Sequence, residues 1–207
     1  MTRRIDSVAY GQAIREWVLP PCLHVPVAAR DQKSITNHIG EIVQVVSPGK
    51  ALLVRVDAPQ PPDHRFPIFE HPNLPRLFEP LQLWVHPRYT RYRAAWVRTF
   101  GPTQIEDRVL HHVYNRRKAV LIGFDFVRLA PISRQTNSSS AATERWGVEL
   151  CTPGYIERHN RRGLRMRYGD LGDLMTLLDI PLGGGVQEMF RLGQNLVEVP
   201  GLRPPQE

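Results

Sequence analysis

Two histidines stand side by side at His111 and His112, within VLHHVYNRRKAVLIGFDFVRLAPISRQTNSSSAATERWG. An imidazole titrates near neutrality, so it can take up a proton at physiological pH or offer a nitrogen to a metal ion. On a strand, adjacent side chains face opposite sides, so one ring can face a metal and the other a substrate. Asn137 follows, heading the Ser-rich run that leads into AATERWG, where Asn and Ser are favoured as helix caps. Around these residues lie Arg116, Arg117, Arg128 and Arg134, and beyond them Arg161, Arg162 and Arg165. A planar guanidinium matches the oxygens of phosphate, which makes these seven the candidate nucleic-acid contacts. Other groupings are poorer in chemistry. Ser138, Ser139 and Ser140 lack the G-x-S-x-G elbow of a serine nucleophile. Gly183, Gly184 and Gly185 lack the spacing and the Lys-Ser/Thr ending of a phosphate-binding loop, and read as a hinge.

The charge distribution points the same way. The 207 residues carry 27 Lys or Arg against 20 Asp or Glu, and only Lys33, Lys50 and Lys118 are lysines. Residues 86–167 hold 16 cations and 6 anions, a net of +10, which leaves 11 against 14, a net of −3, for the rest. A basic segment in a mildly acidic chain is the footprint of polyanion binding, with a solvated or protein-binding basic face as the plainer alternative. No apolar run approaches the roughly 18 residues that span a bilayer. The first residues lack the apolar stretch of a secretory signal. With Cys22 and Cys151 alone there is neither a disulfide framework nor a cysteine-rich zinc module. No membrane association and a reducing, cytoplasmic setting are therefore expected.

The elements that must position these residues can be read in outline. Residues 1–19 carry a loose helical pattern that ends at Pro20-Pro21. The β-branched runs Ile42 to Val46 and Leu52 to Val56 flank Ser47-Pro48-Gly49-Lys50. Proline second and glycine third are what a type II turn needs, so a β-hairpin is expected. Seven prolines interleaved with large apolar residues between Pro59 and Pro80 predict an ordered wrapping segment and the boundary between two parts. Leu81, Leu83 and Val85 alternate as in a strand, and Tyr89, Tyr92, Trp96 and Phe100 recur at helical spacing among Arg88, Arg91, Arg93 and Arg98. Such an aromatic stripe can stack bases, or it can be a core stripe. Phe124 to Ile132 reads as a second strand after a turn at Gly123, and GDLGDLMTLLDI as a helix, with a further short helix after the glycines.

The order of strand with paired histidines, loop, strand, Asn and helix resembles the HNH, or ββα-metal, nuclease family over about residues 109–147. The resemblance implies a metal ligand at His111, the general base that activates water at His112, and a second ligand at Asn137. It also implies a divalent ion, magnesium or zinc, that stabilises the scissile phosphate. Nine residues before Asn137, where the family carries an Asn that orients the base, this chain has Arg128. The expected fold is α+β. A β-rich N-terminal part over residues 1–80 precedes a basic part over residues 81–207, with a central ββα-metal-like unit and C-terminal helices. The expected function is metal-dependent hydrolysis of phosphodiester bonds, in DNA ahead of RNA. The alternative is a non-catalytic nucleic-acid-binding module, or a subunit of a larger nucleoprotein complex with protein partners. An adaptor working through the Pro-rich stretch is the third class.

Overall fold

The turn at Ser47-Pro48-Gly49-Lys50 forms as its residue types require. Lys50 N–H donates to Ser47 O at 2.9 Å, and Gly49 takes φ 63°, a left-handed value that glycine adopts without steric cost. The computed structural model in which this turn is seen describes residues 25–57, 73–140, 151–161, 163–169 and 171–181. In chain order its elements are β1 (Pro26–Ala29), α1 (Gln32–His38), β2 (Gly40–Ser47), β3 (Ala51–Val56), β4 (Leu81–Val85), α2 (Tyr92–Phe100), β5 (Val109–His112), α3 (Arg116–Ile122), β6 (Phe126–Ile132), a helix α4 over 134–140, α5 (Pro153–Arg161), β7 (Met166–Tyr168) and α6 (Leu171–Leu177). Short 3-10 turns occupy Leu74–Phe78 and Thr103–Ile105. The expected helix over 1–19, the segment 59–72, the glycine hinge and the last helix lie outside the described residues, as does Arg162.

The strands form one antiparallel sheet in the order β2-β3-β4-β6-β1-β7, with β5 paired to β6 beside this path. A mixed α+β fold is thus observed. The sheet also crosses the boundary expected at residue 80. β3 pairs with β4 from Ala51↔Val85 to Arg55↔Leu81, so the strand before the Pro-rich stretch and the strand after it are neighbours. Alternate residues of β3 divide between two core clusters, as the strand period dictates. Ala51 and Leu53 join Leu83, Val85, Trp96, Leu110, Val127 and Leu177, while Leu52 and Val54 join Trp84, Phe126 and Ile35 of α1. The aromatic stripe of α2 belongs to the first cluster: Trp96 is buried, and Tyr89, Tyr92 and Phe100 pack against it. Trp96 is thereby a core residue, with no face left for a base.

One expectation of local structure is revised. The connection from β5 to β6 is the helix α3 and not a loop, because the Asn115 side chain caps it, accepting from Arg117 N–H at 2.9 Å and Lys118 N–H at 3.1 Å. Gly123 closes the same helix with φ 77°. The arginine-rich run after residue 157 is divided between the end of α5 and the strand β7. Among the described residues no helix is long and apolar enough to cross a membrane.

Candidate functional site

β5 is the strand the histidines require, and it lies on the far half of β6, with His111 opposite Ala130 and His112 opposite Leu129. The near half of β6 is held on both sides, since Val127 pairs with Ala28 of β1 and with Val85 of β4. Both rings are buried. After β6 the chain turns into α4, and the cap there is Ser133. Its hydroxyl accepts from Thr136 N–H at 3.1 Å. Asn137 was expected at the helix start, and it sits one turn inside instead, its N–H bonded to Ser133 O at 3.0 Å. The reason is local: Ser133 follows the strand directly and satisfies the first free N–H groups before the Ser-rich run is reached. This placement brings Asn137 Oδ1 to 3.1 Å from His111 Nδ1 across 26 residues of chain. The ring donates from Nδ1 and the amide oxygen accepts.

His112 has different surroundings. Its ring meets Tyr92 of α2 edge-on, with centroids 4.7 Å apart. Its Nε2 is buried without a hydrogen-bond partner. Burial, then the positive charge of Arg116, then His111, lower its pKa to about 3. The ring is therefore neutral at physiological pH and a weak proton acceptor.

Beside Asn137 opens a pocket of roughly 370 Å3, lined among others by Arg93 from α2, Glu106 and Arg108 from the approach to β5, and Arg134, Asn137 and Ser138 from α4. One carboxylate behind its wall joins three segments. Asp179, just past α6, accepts from Ser133 N–H at 2.7 Å and from Arg108 Nη1 at 2.9 Å, and lies 3.5 Å from Arg76 Nη1. Burial works to raise this carboxyl, but hydrogen bonds from Ser133 and Thr136 and the charge of Arg76 outweigh it, holding it below the ordinary carboxylate value. Asp179 takes φ 62°, a left-handed conformation that Asp tolerates better than most residues.

The seven arginines expected to touch phosphate are separated by the fold. Arg117, Arg134 and Arg165 are exposed. Arg116 is half-buried: its Nε donates to Pro87 O at 2.6 Å, and its guanidinium lies 6.0 Å from the Tyr92 ring centre. Arg161 ends α5, and its side chain lies outside the described residues. Arg128 corrects the expectation outright. It is 0 % exposed and donates to Leu77 O at 3.0 Å and Arg76 O at 2.6 Å, with Glu79 3.6 Å away. It ties the 74–80 segment to the sheet and cannot reach a ligand. Sequence reasoning passed over Arg108, Glu106 and Asp179. Nothing in their spacing marks them, because Asp179 meets Arg108 across 71 residues of chain only in the fold.

Whether these residues suit a divalent ion can be judged from the donors they bring together. His111 and Asn137 supply one imidazole and one amide, and two of the atoms concerned already bond each other. Among the described residues no three His, Cys, Asp or Glu side chains gather. The adjoining pocket has three guanidiniums against one carboxylate. Such a lining raises the electrostatic cost of a cation and lowers that of an anion, so the set does not fit a divalent metal. In comparison with known proteins, the chain matches no family model, no curated protein and no solved structure.

Proposed function

We propose that this chain binds nucleic acid, DNA ahead of RNA, as a non-catalytic module or as a subunit of a larger nucleoprotein complex. The observation that carries the reading is the convergence of Arg93, Arg108 and Arg134 on one open pocket at α4. These residues belong to the segment that holds the chain's whole positive excess. Guanidiniums from separate elements meeting at one opening supply the charge-assisted, planar pairing that phosphate oxygens accept. Binding of short labelled DNA and RNA strands of unrelated sequence, followed by fluorescence anisotropy in EDTA, tests it. The expected result is similar affinity across sequences, falling steeply as salt rises. No binding at low salt, or binding indifferent to salt, overturns it.

A hydrolytic variant rests on the order of His111, His112 and Asn137 in the sequence, and the direct His111–Asn137 bond weighs against it by engaging both groups with each other. In that variant His112 takes the proton from water, and its low basicity makes turnover slow. Incubating nucleic acid with the protein and magnesium, manganese or zinc tests the variant. Cleavage that falls on the order of 10²–10⁴-fold in His112→Ala, with binding kept, supports it. Absence of cleavage with all three ions removes it and leaves the binding reading.

A further inference from the structure

The pocket at α4 has a charge and size that narrow its ligand. Arg93, Arg108 and Arg134 against Glu106 give the lining a net of +2. Including the pair behind the wall, Arg76 and Asp179, leaves the same +2, because the added cation and anion cancel. The neutral polar groups also favour an anion. Asn137 turns its oxygen to His111, which leaves its NH2 group as the donor, and Ser138 adds a hydroxyl. Along a nucleic-acid backbone each phosphodiester carries a single negative charge. A phosphate monoester carries about −1.5 to −2 at pH 7 and offers three terminal oxygens. A site of net +2 presented by separate guanidiniums matches the monoester. The volume, roughly 370 Å3, lies at the small end of ligand sites.

We infer that this pocket receives the terminal phosphate monoester of a nucleic-acid strand. The inference rests on the nucleic-acid reading above and deepens it. Short DNA strands of one sequence, bearing a 5′-phosphate, a 3′-phosphate or hydroxyls at both ends, are compared by anisotropy in EDTA at one salt concentration. One phosphorylated end is expected to bind about tenfold tighter than the hydroxyl-ended strand, and the two arms identify which end. In Arg134→Gln the ratio falls toward one, while the hydroxyl-ended strand loses less affinity. Glu106→Gln, which removes the one negative charge from the lining, raises the ratio, and this gain cannot arise from misfolding. Equal affinities for all three strands overturn the inference while leaving the nucleic-acid reading intact, because the hydroxyl-ended strand reports that reading separately. A phosphoserine peptide that competes as well as the phosphorylated strand also overturns the assignment to a strand end.

Discussion

At the scale of single residues, His112 and Arg128 are polar groups kept where water does not reach, and each has a measurable consequence. The lowered pKa of His112 means that the unfolded chain binds this proton first. Its contribution to stability is therefore complete above the ordinary histidine value of about 6.5 and is lost as pH falls toward about 3. Each pH unit in that window costs up to about 1.4 kcal/mol. Urea unfolding at pH 7 and pH 5 is expected to show a steeper loss in the native protein than in His112→Leu, and equal losses would contradict this. Arg128 donates to two backbone carbonyls at once, which a lysine's point charge cannot reproduce. Arg128→Lys and Arg128→Met should both lower stability, the second by about 2–4 kcal/mol. Neither should change the affinity of the folded protein for an oligonucleotide. A selective loss of binding in either would return Arg128 to the ligand-facing set. Its burial could not be read from the chain, since the carbonyls that hold it lie some fifty residues earlier.

At the scale of elements, the hairpin was legible because its turn is written in residue types. Pro48 and Gly49 satisfy the two backbone angles directly, and an added Cβ at Gly49 would meet no atom within 4 Å. Gly49→Ala should therefore cost only the left-handed backbone penalty, about 1 kcal/mol by thermal or chemical unfolding. A much larger loss would mean that the turn also packs. The start of α4 was less legible, because Ser133 competes with a run of equally plausible caps downstream. Ser133→Ala should cost about 1 kcal/mol, and Asn137→Ala less than that as far as helix capping is concerned. Asp179 links this helix to α6 and Arg108. Asp179→Asn keeps an acceptor for Ser133 but gives up the charge that faces Arg108 and Arg76, so lower stability and weaker oligonucleotide binding are expected together. Unchanged behaviour in both assays would show that Asp179 does not organise the pocket wall.

At the scale of the whole molecule, the sequence revealed the mixed class and the basic segment, while the single sheet across residue 80 became visible only through the pairing of β3 with β4. Proline density marks where regular structure stops, but it does not say that the chain returns to the same sheet. His111 and Asn137 were expected to share a metal ion, and they bond each other directly instead. The arginine pocket beside them was not expected, because Arg93, Arg108 and Arg134 come from three segments and converge only in the fold. That convergence underlies the central claim, nucleic-acid binding through phosphate. Its most direct test is the slope of log affinity against log salt for a short DNA strand in EDTA, compared between the native protein and the triple variant Arg93→Gln, Arg108→Gln, Arg134→Gln. Each lost phosphate contact removes about 0.7–0.9 from the slope. The triple variant should therefore bind unrelated sequences more weakly by a common factor, with a slope shallower by about 2. An unchanged slope and affinity would contradict the claim and mark these arginines as a solvated surface.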